Sequence, residues 1–316
     1  VELVLLNLQQ TEVWSFSWFT LTQTDTSGSL GMWLMLGFYL AFLVKLPGLP
    51  VHNWLPDAHT QAPTPGSILL AGILLKTGAY GLLRFVWPLF PDAASSFAPM
   101  AMGLGVFSVL YAAKLAFAQN DLKRLIAYPS ISHMGFVSLG IFAWNHLGLQ
   151  GTVMQMVGHG LSSAGLFAIA GLLQQRLHTR DLDKMGGLWG QMPKLAALSM
   201  LFAVAALGVP GLANFIGEFM VLVGVFQVAP WAASMAALGM ILAPVYALII
   251  MQKGFFGTAA STQTAGTSNV LDLNTSELLM LGVLVVGLVL LGFWPNLIFT
   301  ITVAPVEYLM HLGKGG

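Results

Sequence analysis

The sequence contains no cysteine and very little charge: Lys, Arg, Asp and Glu together make up 8% of its 316 residues. Without cysteine, disulfides, thiolate-bound iron–sulfur clusters and Cys-ligated zinc are excluded from this chain. The seven histidines are scattered, and none forms an HxxxH pair. No GxxxxGK[ST] nucleotide loop is present, so any redox or nucleotide chemistry belongs to another polypeptide. Cations and acids balance at twelve each, so no basic surface suggests nucleic acid. Soluble domains carry about 25% charged residues. A chain that is 57% hydrophobic and so poor in charge cannot cover a folded surface in water, and it reads as a membrane protein.

What is present in quantity is long apolar segments. A span needs about 20 mostly apolar residues. Eight segments qualify: 28–58, 66–88, 97–119, 122–144, 149–175, 195–227, 230–254 and 276–296. The fold class is therefore all-α, a polytopic membrane protein of about eight transmembrane helices. Residues 1–27 and 256–275 read as polar connections, and the tail from Pro295 as an interfacial helix. Lys114, Lys123, Arg124, Arg176, Arg180, Lys184, Lys194 and Lys253 fall in turns on one side of this topology; only Arg84 and Lys314 fall on the other. The positive-inside bias puts the first set in the cytoplasm and both ends of the chain on the opposite side.

Two of the spans are overlong and carry helix breakers. The first reads LVKLPGLPVHNWLPDAH with Pro47, Gly48, Pro50 and Pro56; the second reads LGVPGLANFIGEF with Pro210 and Gly211. Proline inside a helix removes a hydrogen bond and clashes with the preceding turn. In lipid, the freed backbone groups survive only where protein or water meets them. Both breaks contain Pro-Gly-Leu, at 47–49 and 210–212, and they run in opposite directions, which is the pattern of an inverted repeat. The expected divisions are a connection at 1–27, the last two helices of a first repeat at 28–94, a second five-helix repeat at 95–255, a loop at 256–275, and a final span with its tail at 276–316. Three helices of the first repeat should then precede Val1. The chain also begins without Met or a signal-peptide layout, and it is expected to be a piece of a longer polypeptide.

Charges and histidines stand where the spans should cross hydrocarbon. A Lys or acid at mid-span costs about 2.5–3.5 kcal/mol on insertion scales, so such residues face polar interiors and serve a purpose. Lys45 precedes the first break, Lys76 lies near the middle of 66–88, Glu218 follows the second break, and His133 and His159 lie near the middle of their spans. Neighbours recur at helical spacing: Lys76, Tyr80 and Arg84; Gln155, His159 and Ser163; Ser130 and His133. Such stripes suit ordered water and a chain of proton donors and acceptors. Desolvation disfavours a charged lysine and a nearby carboxylate restores it, so a buried lysine can take up and release a proton; arginine cannot. Lys45, Lys76, His133, His159 and Glu218 are thus the candidate proton-carrying residues. Blander roles fit Lys114, which can snorkel from a helix end, and His52, Asp57 and His59, which can anchor the broken segment. Arg176, Arg180, Asp181, Asp183 and Lys184 read as a solvated turn.

The runs KLPGLPVHNWLPDAHTQAPTPGSILLAGILLKTGAYGLLRF, AFAQNDLKRLIAYPSISHMGF and GHGLSSAGLF closely resemble the antiporter-like subunits of respiratory complex I, the proton-translocating NADH:quinone oxidoreductase. The similarity runs from about residue 30 to 297. The resemblance implies a fourteen-helix fold with two inverted repeats, of which this chain looks like the last eight helices. It implies proton-carrying roles for Lys45, Lys76, His133, His159 and Glu218, with a carboxylate partner for Lys45 on an upstream helix. A Glu at position 218, where the L and N subunits carry Lys, resembles the M-type branch. By the same resemblance this chain holds no cofactor; NADH, FMN, iron–sulfur clusters and quinone belong to partner subunits. Its partners would be the L-type and N-type subunits, in the bacterial inner membrane. Multisubunit Na+/H+ antiporters and membrane-bound hydrogenases share the motifs, and a passive membrane scaffold is the reading of another class.

Overall fold

A computed structural model describes residues 1–257 and 271–312. The loop expected at 256–275 lies largely outside the described residues, as does Lys314.

The N-terminal stretch is not simply a connection. Residues Glu2–Thr11 form helix α1, with Leu3, Val4 and Asn7 buried. It is tied down by Asn7 Nδ2 donating to Thr24 Oγ1 at 2.9 Å and by Gln10 pairing with the Asp25 backbone. Polar side chains here serve the local fold, which is why composition alone reads as a polar connection.

The first predicted span, 28–58, is two helices: α2 (Gly28–Lys45) and α3 (Trp54–Gln61). The prolines and glycine of 46–53 stop the ladder, and Ser108 from a neighbouring helix supplies a hydroxyl acceptor, 3.1 Å away, to the Leu49 N–H in the break. Next come α4 (Thr64–Leu89), α5 (Pro91–Ala116), α6 (Leu122–Ala143) and α7 (His146–Leu177). Helix α6 is capped by Asp121 accepting from Lys123 N and Arg124 N; Asn145 caps α7. The sixth span is divided into α8 (Pro193–Ala206) and α9 (Ala213–Val228) around Gly208 and Gly211, both in the left-handed region. Neither half is long enough to cross a membrane alone, whereas seven other helices among the described residues are long and apolar enough. Helices α10 (Pro230–Phe255), α11 (Thr275–Phe293) and α12 (Asn296–Leu312) complete the described chain; α12 is the helix expected after Pro295, and it packs on α7.

Burial is uneven along the membrane helices. Helix α6 is 94% buried over its apolar window and α11 only 17%, so α6 and α7 form the centre. Helices α7 and α9 approach closely because small residues face each other. A Cβ added at Gly217 would fall 2.6 Å from the Gln155 nitrogen, and one at Gly224 would fall 2.4 Å from the Gly148 nitrogen.

The expected solvated turn at 176–184 is a tied junction. Arg176 pairs with Glu277 at 2.6 Å, Arg180 with Asp121 at 3.1 Å, and Lys253 with Asp183 at 2.8 Å. Arg180 also donates to the Thr60 carbonyl and Lys123 to that of Ala62, while Arg124 pairs with Asp57. These bonds gather one end of the bundle into a charged layer. At the other end Arg84 places its guanidinium 3.6 Å above the centre of Trp18.

Candidate functional site

The site begins at an irregular helix. Within α4, residues Leu70–Leu74 form a π turn; such turns put an extra residue into the coil and recur at functional sites. The Lys76 ammonium donates back to the Ala71 carbonyl, inside that turn. Lys76 is 8% exposed, and its Nζ lies 2.7 Å from His159 Nδ1 on α7. The backbone carbonyl of His159 accepts from Ser163 Oγ at 2.6 Å.

A second pair follows. His133 Nδ1, on α6, lies 2.7 Å from Glu218 Oε1, on α9. Glu218 is 1% exposed and also accepts from Gln155 Nε2 at 2.7 Å. Charge-assisted bonds of this kind are what make a buried carboxylate tolerable. Its other oxygen turns back toward the break between α8 and α9: a Cβ added at Gly208, whose φ is +70°, would fall 2.9 Å from Glu218 Oε2. The break therefore supplies both the polarity of an interrupted helix and the space that the carboxylate fills.

The two pairs face each other. The rings of His133 and His159 lie 5.4 Å apart at 55°. Beside them is a cavity of about 20 Å³ lined by Ser130, His133, His159, Ser162, Ser163 and Tyr246, among others. A cavity needs about 10–15 Å³ by this measure, and polar partners, to hold a water; this one has both. The buried polar order is therefore Lys76, His159, His133, Glu218, contributed by α4, α7, α6 and α9. Each member is a proton donor, acceptor or both.

Lys45 stands apart from these four. It ends α2 with its side chain exposed, and no partner for it is found among the described residues. Its backbone is nonetheless pressed to the site: a Cβ at Gly78, two residues beyond Lys76, would fall 2.6 Å from the Leu46 nitrogen. The stripe of Gln155, His159 and Ser163 is inward and buried, as is that of Ser130 and His133. The stripe Lys76, Tyr80, Arg84 is not. Tyr80 is 57% exposed and joins a groove with Leu149, Val153 and Tyr308, and a second π turn at Leu82–Val86 alters the register before the helix ends.

His52 and His59 are buried but stand outside the hydrogen-bonded order. His59 stacks on Phe167 with centroids 4.1 Å apart, and His52 sits edge-on to Tyr111. Lys114 is exposed near the end of α5. Tyr246 on α10 escaped the sequence reading; its hydroxyl lies 3.1 Å from His133 Nε2. The only signal was a hydroxyl in the middle of a largely apolar span, two residues after Pro244. Asn214, which donates to Ser162 Oγ at 3.1 Å, escaped it also.

The transmembrane family described as NADH:quinone oxidoreductase/Mrp antiporter matches residues 4–243. NADH-quinone oxidoreductase subunit M of Pseudomonas aeruginosa is 52% identical over 305 residues, covering 96% of this chain and 59% of the relative. Subunit M of Escherichia coli K12 is 53% identical over 294 residues, covering 93% of this chain and 57% of the relative. The chain thus spans 59% and 57% of the length of these two curated relatives. Among solved structures, a chain of respiratory complex I from Thermus thermophilus with bound NADH superposes with a TM-score of 0.89 at 33% identity, over 99% of this chain and 65% of that one. A chain of the Mrp complex from Dietzia shares the fold at a TM-score of 0.79 and 17% identity, over 99% of this chain and 64% of that one.

Proposed function

The chain belongs to the NADH:quinone oxidoreductase/Mrp antiporter transmembrane family, and from that premise we propose that it forms part of an M-type subunit that moves protons across the membrane, coupled to quinone reduction elsewhere in the complex. The observation that carries the reading is the buried order Lys76, His159, His133, Glu218, in which two pairs at 2.7 Å face one another and their histidines line a water-sized cavity. A proton given by the Lys76 ammonium to His159 leaves a neutral amine. The imidazolium so formed can discharge through a cavity water toward His133, and His133 can discharge to Glu218. The chain of donors is reversible, and the driving force sets its direction.

Lys45 belongs to this path as its first member, and the two broken helices belong to two inverted repeats, at 28–94 and 95–255. The full assembly brings L-type and N-type neighbours in a bacterial inner membrane, with NADH, FMN, iron–sulfur clusters and quinone in other subunits. The cation-rich junction around Arg180 faces the cytoplasm, and both ends of the chain face the opposite side.

The test uses the full-length protein in its assembled complex in proteoliposomes. Lys76→Ala and Glu218→Ala should each abolish most proton uptake driven by NADH oxidation, with or without sodium. Unchanged uptake in normally assembled complex would leave a passive scaffold. A sodium requirement would move the assignment to Na+/H+ exchange.

A further inference from the structure

Tyr246 sits at the junction of the two pairs, on a helix that contributes no other polar group to the order described above. Its ring is buried, 2% exposed, and its Oη lies 3.1 Å from His133 Nε2. His133 has two ring nitrogens, and Nδ1 is committed to Glu218 at 2.7 Å. With Glu218 ionised, the carboxylate can only accept, so Nδ1 carries the hydrogen and Nε2 is the free acceptor. A proton that reaches His133 from the His159 side therefore arrives at Nε2, the nitrogen that Tyr246 touches. Tyr246 also lines the cavity shared by His133 and His159, and the tilted rings of the two histidines, 5.4 Å apart, present no bond to each other.

From this geometry, and resting on the proton-path reading above, we infer that Tyr246 is the relay that admits protons to His133. In the step, the phenol donates its Oη hydrogen to His133 Nε2 while Oη accepts a proton from a cavity water that has been protonated by His159. One O–H bond breaks at Tyr246 as another forms there, so the phenol ends neutral. His159 ends neutral, His133 becomes the imidazolium, and no oxidant or reductant is involved. The imidazolium then passes its Nδ1 hydrogen to Glu218. The hydroxyl also fixes the ring: with Nε2 occupied by a donor, Nδ1 stays aimed at the carboxylate. Phenylalanine at this position would keep the ring and its packing and lose both functions.

The experiment is a double-mutant cycle on the full-length protein in its assembled complex, reading NADH-driven proton uptake per assembled complex in proteoliposomes. Tyr246→Phe should assemble normally and lower uptake about tenfold, the order expected when one hydrogen bond to a reacting group is lost. In a His133→Gln background the same change should have no further effect, because a residue acting through another shows full coupling with it. Wild-type uptake in Tyr246→Phe, or losses that add in the double variant, would overturn the assignment. Failure of Tyr246→Phe to assemble would make the hydroxyl structural and overturn it equally. Glu218→Ala, measured alongside, separates the two levels: if it abolishes uptake while Tyr246→Phe does not, only the relay fails; if neither has an effect, the proton-path reading itself fails.

Discussion

Glu218 and His133, 85 residues apart in sequence and on different helices, meet at 2.7 Å with both side chains buried. The pair has two partners of its own, Gln155 on the carboxylate and Tyr246 on the imidazole. Removing one partner of such a pair leaves a buried polar or charged group unmatched, at a cost of about 3–5 kcal/mol where the pair is ionic. Glu218→Gln keeps an oxygen for Gln155 and the volume of the side chain, so it should assemble with near-native thermal stability. Glu218→Ala should lower the melting temperature of the purified subunit complex. Equal melting temperatures for the two variants would contradict the pairing.

Lysine and arginine should not be interchangeable at position 76. Lys76 is packed against Ala71 and His159, and Gly160 lies within 3.7 Å of its Cε should a Cβ be added there. Lys76→Arg preserves charge but cannot release a proton in a protein. It is expected to lose proton uptake as fully as Lys76→Ala. Retention of wild-type uptake by Lys76→Arg would show that this position need not deprotonate.

Gly208 is expected to tolerate no side chain. Its φ of +70° is a left-handed conformation, which costs a residue with a Cβ roughly 1–2 kcal/mol. The added carbon would also press on Glu218 Oε2, 2.9 Å away. Gly208→Ala should therefore reduce both thermal stability and proton uptake. An alanine variant with native uptake would mean that the carboxylate can work from another position.

Much of this was legible in the sequence, and the reasons differ by element. The spans were legible because hydrocarbon demands long apolar runs, and the breaks because Pro47 and Pro210 stand inside them. Lys76, His133, His159 and Glu218 could be singled out individually because polar groups in the bilayer are costly. Their pairing was not legible. Which histidine meets the lysine and which the glutamate depends on helix rotation and on the glycine-mediated approach of α7 to α9, seen at Gly217 and Gln155. The spacing of Lys76, Tyr80 and Arg84 suggests one inward stripe, but Lys76 and Tyr80 share the regular turn Leu75–Gly81 and only Lys76 turns inward, while Tyr80 lies in an outer groove. Tyr246 hid because tyrosine is ordinary in an apolar span. Arg176 and Arg180 were read as solvated because their partners, Glu277 and Asp121, are distant in sequence.

That junction gives a prediction separable from transport. Arg180 joins Asp121 at 3.1 Å with both side chains about a quarter exposed, at 26% and 24%, and it also holds the Thr60 carbonyl. Partly exposed pairs of this kind are worth about 1 kcal/mol or less. Arg180→Ala should lower thermal stability slightly, more at low salt than at high, while uptake per assembled complex persists. A loss of uptake without a loss of stability would mean that the junction takes part in conduction.

The most direct measurement is NADH-driven proton uptake by the complete complex carrying Glu218→Gln, in proteoliposomes and normalised to assembled protein. This variant leaves shape and neighbouring hydrogen bonds in place and removes only the capacity of position 218 to ionise. Uptake should fall at least tenfold, the equivalent of about 1.4 kcal/mol on the barrier. Uptake at the wild-type level would contradict passage of protons along the line that Lys76, His159, His133 and Glu218 define.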